Sequence, residues 1–427
     1  MNLNKKSNKL IKFSNKNSVN KKYCVLCNSS KLKNALDFGK TPLANSYPKS
    51  INKKELKFKL ITVICEDCGH LQLKNLINPK IMFQNYLYVS GTSGVLIRHF
   101  KGYAEKIIKK FKLNRDSKIL DIACNDGTFL NFFKKKNFKL VVGIDPAKNL
   151  RSVNLKKKIR IITDFFNFKK SINMKKKFKY FDIITANNVF AHNPNLQDFT
   201  LGVKNILEKN GVFILEVSYL PTVIKKKTFD TIYHEHMSYH ALKPLVSFFK
   251  SFNLEVFDFD LIEAQGGSIR VYVSHKNVKK INKKKIDSQI QKEIKQEIFK
   301  IKTYEKFYRY ILFQKKKLRI ILESLKSKNK MIIGYGAPAK LTTLSHVLNF
   351  NNKDFKIVID DNFLKQNRYV PGSKFCIKNS KMLNHINNAE IIILAWNFFE
   401  SIKRKCLSIN KNFNFIKPFP YPKKINK

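Results

Sequence analysis

Three groups of residues in this chain have types and spacings that could do chemistry. The first is a pair of C-x2-C knuckles, Cys24-Val-Leu-Cys27 and Cys65-Glu-Asp-Cys68. Each knuckle can put two thiolates on one tight turn, and two knuckles complete a tetrahedral S4 set suited to Zn(II). Gly69, directly after the second knuckle, fits the turn such a site needs. With all four positions filled by Cys no coordination position stays open, so the zinc is expected to be structural and to supply folding energy that a small core lacks. Four unrelated buried cysteines are the plain alternative, and the paired spacing argues against them. A redox role is disfavoured as well, since neither knuckle sits in a thioredoxin-like strand-helix context.

The second group is Asp121-Ile-Ala123-Cys-Asn125-Asp126-Gly127, which follows an apolar run and precedes a helical pattern. A turn of small residues there lets backbone approach a ligand, and the helix N-terminus adds N–H donors. One apolar run later, Gly143-Ile-Asp145-Pro146 places an acidic side chain at a strand end, where a carboxylate can accept from ribose hydroxyls. A glycine-poor loop disfavours a dinucleotide pyrophosphate, which wants G-x-G-x-x-G. It suits S-adenosylmethionine better, because that molecule has no phosphate but an amino-acid end and a sulfonium. An ordinary turn between strand and helix is the alternative for the loop taken alone.

The third group is Phe229-Asp-Thr-Ile-Tyr233-His234-Glu235-His236-Met-Ser-Tyr239-His240, dense in a chain with nine His. Histidine titrates near neutrality and can act as a general base, and a neighbouring carboxylate can raise its basicity and fix its tautomer. Tyr233 or a second His could donate to an oxyanion as it forms. His192, in Ala186-Asn-Asn188-Val-Phe-Ala-His192-Asn-Pro194, follows another apolar run. In a doubly wound sheet this puts it at the C-terminal edge, beside the cofactor. A second metal site or a hydrogen-bonded surface loop is the alternative for the cluster. His-Glu-His lacks the helical spacing of H-E-x-x-H, which argues against metalloprotease chemistry.

The elements that must position these groups can be read from periodicity. Short β-rich runs (SKILDIAC, KLVVGID, RIITDF, FDIITANN, GVFILEVS) alternate with helical patterns. That order predicts α/β architecture, a parallel sheet covered on both faces. LEVFDFDLI and SIRVYVSH, either side of Ala264–Gly267, read as an antiparallel pair closing the sheet. A second α/β unit is expected from MIIGYGAPAK, FKIVIDDN, EIIILAWNF and FNFIKP. The boundaries expected are a basic, mobile tail over 1–20, a zinc-binding module over 21–85 and a cofactor-binding α/β domain over 86–276. A helical connector over 277–328 and a C-terminal α/β domain over 329–427 follow.

A chain of 427 residues, 43% of them hydrophobic, is long enough for two or three cored domains. No apolar run reaches bilayer-spanning length and the N-terminus lacks the apolar stretch of a signal peptide, so a cytoplasmic protein without a membrane partner is expected. The net charge of +54 invites a nucleic-acid reading. The excess, however, is nearly all Lys, spread along the whole chain and accompanied by Asn, Ile and Phe, as AT-rich codons would supply. Arg, the preferred residue for bidentate contacts, is scarce. Nucleic acid is therefore not the expected partner, although so positive a field should still favour anionic ligands.

Taken in order, these motifs resemble the sugar C-methyltransferases that act on nucleotide-linked 4-keto-deoxysugars. The resemblance runs from about Cys24 to Pro418. It includes Thr41-Pro-Leu-Ala-Asn45-Ser-Tyr47, Tyr86-Leu-Tyr88-Val-Ser90-Gly-Thr-Ser93, the N-D-G loop, N-N-V-x-A-H, Y-H-E-H, Gly266-Gly267-Ser268-Ile-Arg270 and Gly334-Tyr-Gly336-Ala-Pro338-Ala-Lys340. One departure is Asp121-Ile-Ala123 where that family usually has Glu-x-Gly. The resemblance implies a Rossmann-like methyltransferase domain flanked by a zinc module and a second α/β domain. It also implies S-adenosylmethionine held by Asp121, Ala123, Asn125, Asp126, Gly127, Asp145 and Asn188. His236 would be the base, with Tyr233, Glu235 and His192 around the reacting sugar and Tyr88 a further substrate contact. For a nucleotide-linked substrate, Arg270 and Lys340 are expected to contact the diphosphate, a plain strand-to-helix turn being the alternative for Gly334–Lys340. Two rivals remain open. An RNA-modifying or other small-molecule methyltransferase would share the cofactor fold, though the sequence gathers no aromatic and Arg residues on one groove for RNA. A non-enzymatic zinc-dependent scaffold would not need His192 and the Tyr233–His236 cluster.

Overall fold

The computed structural model describes residues 11–14, 16–151, 159–263 and 266–425. The chain forms two compact units. One comprises Met1–Lys33, Val63–Thr222 and Glu235–Lys300, the other Asn34–Thr62, Val223–His234 and Ile301–Lys427.

Five strands come from the N-terminal part: β1 (Ser18–Asn20), β2 (Leu32–Pro42), β3 (Lys57–Cys65), β4 (Leu71–Leu73) and β5 (Asn75–Ile77). Then follow β6 (Lys118–Ile122), β7 (Leu140–Ile144), β8 (Arg160–Ile162), β9 (Phe181–Asn187), β10 (Leu207–Ser218), β11 (Ser238–Tyr239), β12 (Leu254–Ile262) and β13 (Ser268–His275).

The first unit is built on a seven-stranded sheet ordered β12-β13-β10-β9-β6-β7-β8. Strands β6 to β10 run parallel, and β13 and β12 close one side as an antiparallel pair. Parallel strands buried on both faces must be apolar along most of their length, and the runs Lys118–Ile122 and Leu140–Ile144 meet that demand. One face is covered by the helix Gly94–Lys110, which Ser93 caps by accepting from the Leu96 N–H. Its buried Leu96, Phe100, Tyr103, Ala104 and Ile107 recur at three- and four-residue spacing. The other face carries an apolar cluster that holds Phe190, Phe199, Phe213 and Phe249 together with Cys24, Val25, Leu26 and Cys65. The cysteine knuckles are thus part of the sheet's own core. Because the chain leaves β6 first to one side (β7, β8) and then to the other (β9, β10), the strand order reverses between β6 and β9. That reversal opens a ligand crevice at the carboxyl ends of those strands.

The expectation of a mobile tail over 1–20 needs correction. Residues 1–10 and 15 lie outside the described residues, but Ser18–Asn20 pairs antiparallel with Asn75–Ile77, and the Ile11 N–H donates to Asn195 Oδ1 at 2.8 Å. Three residues of strand leave no periodic trace among Lys and Asn, and pairing with β5 orders them.

In the second unit, β14 (Ile332–Tyr335), β15 (Ile357–Ile359), β16 (Cys376–Lys378), β17 (Glu390–Ile393), β18 (Asn414–Lys417) and β19 (Lys423–Ile425) form a sheet ordered β16-β15-β14-β17-β18-β19. It is parallel except for β19. The stretch expected to be helical over 277–328 contains the helices Lys283–Lys295 and Ile301–Ser327. Among the described residues no helix is long and apolar enough to cross a membrane.

Candidate active site and metal centre

The sulfur atoms of Cys24, Cys27, Cys65 and Cys68 all lie within 4.8 Å of one another. Two of the separations, Cys24 to Cys68 and Cys27 to Cys65, are 3.6 and 3.5 Å. Zinc–sulfur bonds of about 2.3 Å give a tetrahedron with edges of roughly 3.8 Å, so the donor set fits Zn(II). Local backbone shapes each knuckle: the Asn28 N–H donates to Cys24 O, and the Gly69 N–H to Cys65 O. Gly69 has φ +77°, a left-handed conformation that a side chain disfavours. Hydrogen bonding among the thiols shifts them in opposite directions, Cys27 and Cys65 down and Cys24 up. A divalent cation would hold all four as thiolates.

The cofactor loop turns sharply after β6. Ala123, Asn125 and Gly127 alternate into the left-handed region at φ 58°, 53° and 70°. An alanine at φ 58° occupies a conformation that glycine adopts more readily. The turn is held from the next strand: the Asn125 N–H donates to Asp145 Oδ2 and the Ala147 N–H to Asp145 Oδ1, both at 2.8 Å. Gly143 is required there, since a Cβ would meet Cys124 Sγ at 2.5 Å. Asn188, also left-handed at φ 55°, donates its N–H to Glu216 O. Asp121 is buried and accepts from Thr185 Oγ1 at 2.6 Å and Asn187 Nδ2 at 3.2 Å. Beside it, Asn187 Oδ1 is buried and finds no donor among the described residues. Two carboxylates and a spare carbonyl oxygen at this edge, without a glycine-rich phosphate nest, fit a cationic ligand bearing an ammonium and a sulfonium.

Burial raises Asp121 to about 7, against hydrogen bonds from Thr185 and Asn187 that lower it. Between about pH 4 and 7 the folded chain therefore holds a proton that the unfolded chain has lost, and stability falls as pH rises through that window. A cation at this edge favours the ionised form, so cofactor affinity is expected to rise with pH through about 7. Calorimetric titrations of wild type and Asp121→Asn between pH 6 and 8 check this. The variant should show a flat profile.

The side chains of Asn125 and Asp126 have a second task. Asn125 Oδ1 accepts from the Ser90 N–H at 2.9 Å, its Nδ2 donates to Tyr88 O at 3.0 Å, and Asp126 Oδ2 accepts from the Gly91 N–H at 3.2 Å. A Cβ on Gly91 would meet that same oxygen at 2.5 Å. The Tyr86–Ser93 segment is thereby strapped to the cofactor loop, and the half-exposed Tyr88 ring stands on this strap.

The other end of the strap reaches the histidines. Tyr86 OH donates to Glu235 Oε2 at 2.8 Å, and Asn149 pins the Tyr86 backbone at both its N–H and its C=O. His192 closes a short 3-10 turn, Phe190–His192. Its ring stacks on Phe83 at 5.5 Å and lies 5.1 Å from the His236 ring. The Met237 N–H donates to Ala191 O, which ties the two histidine segments together. Burial, with His236 alongside, pushes His192 well below the ordinary histidine value, and its Nε2 has no partner among the described residues. A neutral imidazole thus lies tilted beside a second one, with a tyrosine-held carboxylate next to the latter in sequence. Tyr86 was not among the expected catalytic residues; its pairing with Glu235 spans 149 positions.

Of the residues expected around the substrate, Arg270 is corrected. It is 2% exposed, donates through Nε to Glu216 Oε2 at 2.9 Å, and its guanidinium lies 3.4 Å over the Tyr103 ring. Glu216 also meets His99 Nε2 at 2.9 Å. Burial raises Glu216, but His99 and Arg270 outweigh it and hold the carboxylate low. An arginine spent on a buried carboxylate cannot also serve a diphosphate. Tyr233 and Lys340 belong to the second unit. There Lys340 Nζ donates to Asn397 Oδ1 and lies 3.5 Å from Asp230 Oδ2, which itself accepts from Trp396 Nε1 at 2.8 Å.

Three family models match the chain in succession. Residues 24–83 match "Putative zinc binding domain", residues 96–258 a methyltransferase domain, and residues 263–420 the C-methyltransferase C-terminal domain. The C-methyltransferase NovU of Streptomyces niveus is 27% identical over 407 residues, covering 94% of this chain and 96% of that protein. Among solved structures, an S-adenosylmethionine-dependent methyltransferase from Clostridium acetobutylicum is 16% identical, with TM-score 0.35 over 42% of this chain and 92% of that one. Magnesium protoporphyrin IX methyltransferase from Synechocystis is 10% identical, with TM-score 0.31 over 42% and 79%. With a four-cysteine metal set, a methyltransferase domain and a match to the C-methyltransferase C-terminal domain in that order, the chain is an S-adenosylmethionine-dependent methyltransferase with a zinc-binding N-terminal module, similar along its length to a C-methyltransferase.

Proposed function

We propose that the enzyme methylates a carbon adjacent to the ketone of a nucleotide-linked 4-keto-deoxysugar in the cytoplasm, through an enolate made by His236. The observation that carries this reading is the His192–His236 pair, 5.1 Å between rings, with the strap Tyr86–Ser93 running from Glu235 to the cofactor loop. A carbon next to a ketone is acidic enough for a positioned base. His236 takes that proton, and the electron pair moves onto the ketone oxygen as the enolate forms. His192, kept neutral by burial, donates to that oxygen. Glu235, fixed by Tyr86, supports the charge His236 acquires. S-adenosylmethionine, when bound, supplies the electrophilic methyl group and leaves as the neutral thioether once the carbon has taken it. The proton then passes from His236 to solvent. Tyr88, which stands on the strap, is a further substrate contact of this reading, which the resemblance to sugar C-methyltransferases supports.

Labelled methyl transfer to a panel of 4-keto nucleotide sugars, with the product position assigned by NMR, tests the proposal. A new carbon–carbon bond next to the former ketone is expected. Transfer to oxygen, nitrogen or RNA instead would sink it.

A further inference from the structure

We propose that Gln72 is a positioning residue that ties the four-cysteine metal site to the His192–His236 pair. The inference rests on the roles just given to those histidines.

Gln72 is the middle residue of β4 and is 1% exposed. Its side chain grips the first cysteine knuckle on both sides of Cys24: Oε1 accepts from the Val25 N–H at 2.8 Å, and Nε2 donates to Tyr23 O at 3.1 Å. Its backbone lies opposite Ser238 in the antiparallel pair of β4 and β11, two residues beyond His236. The next residue of β4, Leu73, donates its N–H to Met237 O at 2.9 Å. Met237 in turn donates its own N–H to Ala191 O, next to His192. The second knuckle feeds the same strand, because the Cys65 N–H donates to His70 O, one residue before β4 begins. Both halves of the metal site therefore converge on three residues of strand, and that strand is the ladder partner of the segment that carries the base.

Alongside the ladder runs a ring contact. His70 and His240 lie 5.4 Å apart, and His240 lies 5.4 Å from Phe190, which opens the turn that carries His192.

A strand of three residues and a partner of two offer few backbone hydrogen bonds, so they hold register only if something else fixes them. The amide of Gln72 does so. A glutamine with both ends of its amide bonded to backbone is rigid, and losing it strands the buried Val25 N–H and the partly buried Tyr23 C=O. Zinc holds the knuckle, Gln72 transmits the knuckle's position, and β11 delivers it to His236.

Hydrogen–deuterium exchange on the full-length, zinc-loaded protein tests this without any substrate. Gln72→Leu should keep its zinc and its affinity for S-adenosylmethionine while exchange at residues 237–241 quickens at least tenfold. Gln72→Glu retains the acceptor for Val25 and should fall between; it also serves if the leucine variant fails to fold. Stripping zinc from wild type should quicken the same amides. Wild-type exchange in both zinc-bound variants would overturn the proposal. So would loss of zinc in both, or loosening spread evenly over the whole first unit. A failed enolate mechanism would leave these exchange rates untouched, so the two readings can fail separately.

Discussion

His236→Ala is expected to lower methyl transfer about 100- to 10,000-fold, the contribution of a positioned general base, while S-adenosylmethionine still binds. The choice between the two neighbouring histidines follows from their environments. An imidazole that takes a proton becomes a cation, and a cation needs solvent or a carboxylate. His192 stacks on Phe83 with its Nε2 buried and without a partner among the described residues, and desolvation and His236 both hold it well below the ordinary histidine value. It therefore stays neutral throughout the physiological range. Both residues are partly buried, but His236 is the one that Glu235 precedes, with its carboxylate oriented by Tyr86. The roles separate experimentally. With the demethylated cofactor bound, wild type should exchange the substrate's acidic hydrogen with deuterium from solvent. His236→Ala should lose that exchange. His192→Ala should slow it by roughly a hundredfold, the cost of one oxyanion donor, without abolishing it. Exchange that survives intact in His236→Ala would move the base elsewhere.

What could be read from sequence here was what is local. Two thiolate pairs on tight turns and apolar runs alternating with helical patterns are signals carried by neighbouring residues, and both reappear in the fold. Tertiary partnership was not legible. Arg270 looked like an anion contact because its sequence neighbours do not reveal Glu216, which lies opposite it on β10. The trace was a lone Glu216 inside the apolar run of Gly211–Val217, a carboxylate that had to find a partner indoors. Tyr86 escaped for the same reason, since nothing near it in sequence announces Glu235. The strand Ser18–Asn20 escaped because pairing with β5, not composition, orders it. Asn125 and Asp126 show a subtler limit. Their types suggested direct cofactor contacts, whereas their side chains hold the strap that spans cofactor loop and histidines.

Removing the metal should have the largest effect on stability. Cys24 and Cys65 are fully buried within the same apolar cluster as Phe190 and Phe249, so one cysteine of each knuckle is embedded in the core of the methyltransferase sheet while Cys27 is exposed. The strands around it, β1, β4 and β5, have three residues each, too few to order themselves. Structural zinc in small modules contributes on the order of 10 kcal/mol. In this unit each kcal/mol is worth roughly 2–4 °C, so even half that contribution lowers the thermal midpoint by more than about 10 °C. Chelation, or Cys65→Ser, is therefore expected to produce such a drop together with loss of bound zinc. Cys376→Ser, a substitution in β16 of the second unit, should leave metal content unchanged. The four thiols also cannot all ionise at such close quarters without a cation, so metal uptake must release protons, and affinity should weaken as pH falls. A metal-free protein that keeps its midpoint would mean that the apolar cluster alone holds the knuckles. The zinc would then be dispensable to the fold, and the short strands would owe their order to packing rather than to the four-cysteine site.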